Sequence, residues 1–231
     1  MGVTSEVEPR FWREAREVGF DSVFAMDFEG GDQTGVIEFG IVGISREGLS
    51  LFSSGFCSAV SAIPEREFQT HGLTNTDLLD ARPFGDFWEL FRDLRKRGPF
   101  LAHSAQVEDR FLRRQWPTPG EVPDWSSKES LSIEWGPWLD SCRVYRSLRP
   151  GQAAGLESLI TSEGLGEHLD GVAQRECEVG RCRWHAALFD AIASALLFQR
   201  AVRMQPDWGV RRFFHESQGG SLEEQSTFGF G

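Results

Sequence analysis

Asp27 and Glu29 stand one residue apart at the end of an apolar run, Phe24-Ala25-Met26-Asp27-Phe28-Glu29. On an extended chain the side chains alternate faces, so both carboxylates point one way while Met26 and Phe28 point the other. Two carboxylates on one face repel unless a cation joins them. Further acids follow downstream. Glu108-Asp109 comes after His103-Ser104-Ala105, and His185 precedes Asp190 by five residues. Such oxygen-rich sets suit magnesium or manganese, hard cations that favour carboxylate and water over thiolate. Four carboxylates can hold two ions, which activate a water and stabilise the leaving oxygen in phosphodiester cleavage. A histidine titrating near neutrality can take the proton from that water. Taken singly, each residue also has a plain structural reading: a solvated sheet edge for the Asp-x-Glu pair, a favourable helix N-terminal charge for Asp190, a surface position for His185.

The elements that would carry these residues follow from pattern. A short helix is expected from about Glu8 to Val18, then a strand from Asp21 to Glu29, with Gly30 and Gly31 allowing a turn. Strands at Val36–Ile44 and Leu49–Phe56, linked by polar turn residues, complete an antiparallel meander. Thr74 or Asn75 is placed to cap a short helix through Leu79. Phe84, Phe87, Trp88, Phe91 and Leu94 recur at helical spacing, and Pro99-Phe100-Leu101-Ala102 reads as a buried strand delivering His103 to its end. A helix from about Val107 to Arg114 follows. Residues 116–138 hold four prolines and four tryptophans and read as a loop insertion. Leu139 resumes order, Leu156–Ile160 belongs to another helix, and Trp184–Met204 is the longest helix, with Leu188, Ile192, Leu196 and Leu197 inward. Strands first, then alternating helix and strand, indicate an α/β domain with a mixed sheet. The division is an N-terminal helical extension over 1–20, a main domain over 21–205 and a flexible tail over 206–231.

The chain has 231 residues, 40% hydrophobic and 26% charged, enough for one large core. No run reaches membrane-spanning length and no basic start leads into an apolar core, so a cytoplasmic protein is expected, with no membrane partner. Cys57, Cys142, Cys177 and Cys182 lack zinc-knuckle spacing and read as reduced thiols. A net charge of -11 confines any nucleic-acid contact to local basic groups. Candidates are Arg92 with Arg95, Lys96 and Arg97, then Arg110 with Arg113 and Arg114, then Arg143 with Arg146 and Arg149; solvated helix faces are their simpler use. Trp116, Trp125, Trp135 and Trp138 could stack on bases, although packing of the insertion is the plainer reading.

In order, Met26-Asp27-Phe28-Glu29, Val36-Ile37-Glu38-Phe39-Gly40-Ile41-Val42, His71-Gly72-Leu73-Thr74, Leu101-Ala102-His103-Ser104-Ala105 and His185-Ala186-Ala187-Leu188-Phe189-Asp190-Ala191 resemble the blocks of the DnaQ-like 3′-5′ exonucleases of the DEDDh type. The resemblance runs from about Ser22 to Arg203. It implies a ribonuclease-H-like fold, a mixed sheet of antiparallel meander plus parallel strands flanked by helices. It assigns Asp27, Glu29 and Asp190 to two Mg2+ or Mn2+ ions and His185 to general base. The remaining acid falls on Glu108, where the family has aspartate; Asp109 has the family's residue type one position late, and a helix turns about 100° between the two. Glu108 is the better match. Backbone around Phe28 to Gly31, with Gly30, and around His71, Leu73 and Thr74 would border a terminal nucleotide, while His103 would hold its turn. The implied activity is removal of nucleotides from the 3′ end of single-stranded DNA or RNA; a role on very short RNA is a further reading within that class. The alternative is a noncatalytic nuclease-like module that binds nucleic acid or a partner. Gln225-Ser226-Thr227-Phe228-Gly229-Phe230 resembles peptides that bind sliding clamps, which would make a clamp or a polymerase a partner through the tail.

Overall fold

A computed structural model describes residues 8–219. Helix α1 (Arg10–Val18) buries Phe11, Trp12 and Ala15 and ends at Gly19, whose φ of 115° favours glycine. Strands β1 (Ser22–Gly31), β2 (Gly35–Ser45) and β3 (Gly48–Phe56) form the expected antiparallel meander. Helix α2 (Glu65–His71) crosses to a 3-10 turn at Phe84–Phe87 and helix α3 (Trp88–Arg97). Strand β4 (Phe100–Ala102) then lies parallel to β1, and helix α4 (Gln106–Gln115) leaves its end. The insertion holds the small pair β5 (Val122–Pro123) and β6 (Leu131–Ser132). Strand β7 (Leu139–Asp140) pairs parallel to β4, and helices α5 (Ser141–Leu148), α6 (Leu156–Ser162), α7 (Gly166–Glu176), α8 (Ala187–Met204) and α9 (Val210–Ser217) follow. The five-stranded sheet has the order β3-β2-β1-β4-β7. This is a mixed sheet flanked by helices, the architecture the sequence implied.

Alternation along β1 divides the molecule. Val23 and Ala25 face a core built on α8 with Val42, Ile44, Leu101 and Leu139. Phe24, Met26 and Phe28 face the other way, into an aromatic layer with Phe39, Phe84, Phe91, Phe100 and Trp135. By the same alternation Asp27 and Glu29 lie on the α8 side. Gly40 sits opposite Asp27 in the sheet register, and a Cβ there would overlap the Ala187 carbonyl and the Leu188 amide. The missing side chain lets the first turn of α8 press against the sheet beside the carboxylates.

The structure corrects four expectations. Residues 74–79 form turns instead of a helix, because the Asp77 carboxylate accepts from both the amide and the hydroxyl of Thr74 at 2.7 Å, closing a tight local turn. The last long helix starts at Ala187 instead of Trp184, because His185 takes a left-handed backbone with φ 60°. The expected tail from 206 forms α9 over its first part. Phe213 and Phe214 are buried, Ser217 Oγ accepts the Asp140 amide at 2.9 Å, and the Val210 amide donates to Glu14. Arg95 is fully buried and is no part of a basic surface. It donates to the carbonyls of Trp135, Pro123 and Gly136 at 2.6–2.8 Å, anchoring the insertion. The clamp-like hexapeptide at 225–230 lies outside the described residues. Among the described residues no helix is long and apolar enough to cross a membrane.

Candidate active site

Three elements bring four carboxylates to one end of the α8 face: Asp27 and Glu29 from β1, Glu108 from the first turn of α4, and Asp190 from the first turn of α8. Glu29, Glu108 and Asp190 are buried, and Asp27 keeps part of its surface exposed while its Oδ2 is shut off from solvent. Asp27 Oδ2, Glu108 Oε2 and Asp190 Oδ1 are buried without a hydrogen-bond partner among the described residues. Buried unpaired carboxylate oxygens are costly, so a structure retains them where something else meets the charge. Burial, reinforced by Asp190, Glu29 and Glu108, pushes the Asp27 carboxyl well above the usual range. Burial, with the charges of Asp190 and Glu38, raises Glu29 to about 8. Burial, with Asp140 and Glu29, raises Glu108 to about 8. Asp190 is raised to about 7, chiefly by burial, against the pull of the His185 amide hydrogen bond. Four mutually repelling acids, three of them with an oxygen left unpaired among the described residues, form a donor set suited to hard divalent cations. A His185 ring nitrogen and one carboxylate oxygen each from Glu29 and Asp190 lie within 4.8 Å of one another, with the histidine exposed beside the buried acids.

Of the two acids at the start of α4, Glu108 enters the cluster. Asp109 is turned toward the insertion, accepting from Trp138 Nε1 at 2.8 Å and from Arg113. The 100° step between them decides which one faces β1.

Two further buried carboxylates border the site and are satisfied by protein donors. Asp140 caps α5 through the Arg143 amide and accepts the amides of Ser104 and Ala105, fixing the turn that launches α4. Glu38 lies across the sheet from Glu29, is paired with Arg181 and accepts the Ala187 amide. No role of their own is expected from sequence for Glu38, Asp140 and Arg181. The signal for Glu38 was a single charge within an apolar strand, and for Asp140 an aspartate directly before a helix. Nothing local marks Arg181.

The residues expected to border a nucleotide are distributed as follows. Phe28 turns its ring into the aromatic layer, leaving its backbone at this end of the sheet. Gly30 has φ 138°, and a Cβ there would overlap the Gly35 carbonyl, so the β1–β2 bulge requires glycine. His71 is buried; its Nδ1 accepts the Leu73 amide at 3.0 Å, and its Nε2 is unpaired among the described residues. Leu73 packs on Ile37 and Leu78, and Thr74 is exposed at the turn. His103 bonds Ser141 Oγ at 2.9 Å and the Ala154 carbonyl at 2.8 Å, a structural brace. Trp125, Trp135 and Trp138 each spend their indole N–H inside the protein, and Trp116 packs against Phe84, Trp88 and Phe91.

No family model matches the chain. It is 25% identical over 224 residues, 91% of its length, to DNA polymerase III PolC-type of Thermotoga petrophila, of which it spans 14%. Its fold matches Exonuclease X in complex with 5′ overhanging duplex DNA at TM-score 0.58 and 18% identity, covering 84% of this chain and 99% of that one. It also matches the nuclease domain of 3′hExo, a DEDDh family member bound to rAMP, at TM-score 0.56 and 16% identity, covering 80% and 92%. The chain therefore shares the fold of these two nucleases, the ribonuclease-H-like mixed sheet flanked by helices.

Proposed function

We propose that the protein is a metal-dependent 3′-5′ exonuclease that hydrolyses terminal phosphodiester bonds of single-stranded DNA or RNA. The observation that carries this reading is the convergence of Asp27, Glu29, Glu108 and Asp190, three of them with a buried oxygen unpaired among the described residues, beside the exposed ring of His185. Those four carboxylates would hold two Mg2+ or Mn2+ ions. When bound, such ions make water acidic enough to ionise near neutrality and offset charge on the leaving oxygen.

The chain's own residues supply the rest. Asp190 Oδ2 accepts the His185 amide at 3.1 Å, so one side chain both belongs to the carboxylate set and fixes the backbone carrying the base. His185 is exposed, so its imidazole can accept a proton from an attacking water and pass it to solvent. Backbone at Phe28 to Gly31 and at the His71–Thr74 turn would hold the terminal nucleotide against the cluster. With a net charge of -11 the chain has little long-range attraction for a polyanion, which favours short or partner-delivered substrates.

The test is degradation of 5′-labelled oligonucleotides, as DNA and as RNA, with magnesium, manganese or chelator, comparing wild type with Asp27→Asn. A ladder shortening from the 3′ end that needs both metal and Asp27 is the expected result, and the preferred sugar assigns the substrate. Oligonucleotide binding without shortening, equal in both proteins, would replace this reading with a binding module.

A further inference from the structure

Arg181 lies four residues before His185, in the loop entering α8, and its side chain is only 12% exposed. Its guanidinium reaches three separate segments. Nε and Nη2 grip the two oxygens of Glu38 on β2, Nη1 donates to the His71 carbonyl at 2.8 Å, and Nη2 also donates to the His185 carbonyl at 3.2 Å. Glu38 Oε2 in turn accepts the Ala187 amide at 3.2 Å, the first residue of α8. A planar fork of five donors can bridge such divergent acceptors; a single ammonium cannot cover them all.

This matters because of what His185 is doing. Its φ of 60° lies in a region that L-residues occupy only when their surroundings hold them there. Two hydrogen bonds hold it: the His185 amide to Asp190 Oδ2, and Arg181 to the His185 carbonyl. The second anchor is itself fixed to the sheet by Glu38, directly opposite Glu29. Arg183 adds a bond from Nη2 to the same His71 carbonyl at 2.7 Å, joining the loop to the His71–Thr74 turn once more.

We propose that Arg181, clamped by Glu38, is a positioning residue that locks the strained backbone of His185 and so aims its imidazole at the carboxylate cluster. The inference rests on the exonuclease reading for its consequence in catalysis, while its geometric content stands apart from it. Arg181 touches no reacting atom in this scheme. It acts through His185.

The test uses Arg181→Met, Arg181→Lys and the double variant Arg181→Met with Glu38→Met, which removes both members of the buried ion pair and leaves no orphaned charge. Steady-state kinetics on a 3′-end substrate and amide hydrogen exchange of His185 and Ala187 are measured in each. The expected result is that kcat falls by about tenfold or more in Arg181→Met and in the double variant, with KM changed by less than about twofold, and that Arg181→Lys recovers part of the loss. Exchange at His185 and Ala187 accelerates in parallel. A pair that serves stability alone would regain wild-type kcat in the double variant, and that outcome overturns the proposal. So does a rise in KM at constant kcat, which would place the effect of Arg181 on the His71–Thr74 turn instead of on His185. If the wild type shortens no oligonucleotide under any metal, the exonuclease reading fails on its own. The positioning claim then rests on exchange, and unchanged protection of His185 in Arg181→Met overturns it; Ala187 loses its own acceptor in the double variant and is read only in the single ones.

Discussion

The two faces of the sheet are built from different materials. On one, Ala25, Gly40 and Val42 meet a helix rich in alanine, so that backbone approaches backbone closely enough for acids from strand and helix to converge. On the other, Phe28, Phe39, Phe84 and Phe91 meet edge to face with centroids 5.3–5.6 Å apart for the three pairs made by Phe91. Large rings fill volume and exclude water, which favours the folded state. Small residues give up buried area but allow precision of approach. One face gathers the carboxylates at a cost in repulsion, and the other supplies stability that offsets that cost.

The largest expected effect tests the first half of that contrast. Asp27→Asn should lower kcat by about a thousandfold, equivalent to about 4 kcal/mol of barrier, while the metal-free melting temperature stays level or rises because a repelling charge is gone. A lowered melting temperature without loss of turnover would mean that Asp27 stabilises the fold and takes no part in the reaction. Next, Phe91→Ala on the aromatic face should cost about 3–5 kcal/mol in denaturant unfolding, with turnover of the folded protein at low temperature changed only a few-fold.

The electrostatics give a pH signature. Asp27, Glu29, Glu108 and Asp190 all have carboxyls raised in the folded state, Glu29 and Glu108 to about 8 and Asp190 to about 7. The native protein thus binds protons more tightly than the unfolded chain. Its stability from these groups is fully present below their ordinary range and is lost as pH rises through the raised values. Thermal unfolding in chelator should therefore show a melting temperature that falls from about pH 5 to about pH 8, and added magnesium or manganese should raise it more at the upper end. A flat profile with no response to metal would remove the repelling-cluster half of the contrast. The smallest effect concerns the insertion. Trp138→Phe removes the bond to Asp109 and should cost about 1 kcal/mol with KM unchanged. A rise in KM would instead show that this ring stacks on substrate.

Part of this architecture is legible in local sequence. The alternation of β1 put Asp27 and Glu29 on one face, and the meander followed from turn chemistry, because both depend on residues close together in the chain. Other features were opaque for a single reason: their partners are distant. Arg95 sits in a run that looks like a basic surface, yet its acceptors are carbonyls of the insertion about 40 residues on. Val210–Ser217 follows a proline and looks like tail, yet Phe213 packs on Phe11 and Phe198. The last helix starts later than its periodicity suggests: apolar spacing extends through Trp184, while the His185 backbone is held out of the helix by contacts with Asp190 and Arg181.

By itself the sequence determined which residue types could do the chemistry, the order in which they occur, and the face each takes on its own strand or helix, since backbone periodicity is a local property. Only the tertiary structure decided how close Glu108 comes to Asp27 and Glu29, that Glu38 and Asp140 are satisfied while Asp27, Glu108 and Asp190 keep oxygens unpaired among the described residues, and that Arg181 reaches the backbone of His185. Those outcomes depend on sheet register, on the close approach of α8 at Gly40, and on hydrogen bonds between segments more than a hundred residues apart, such as Arg181 with His71 and Glu38. No local pattern encodes them, because they exist only once the chain has packed.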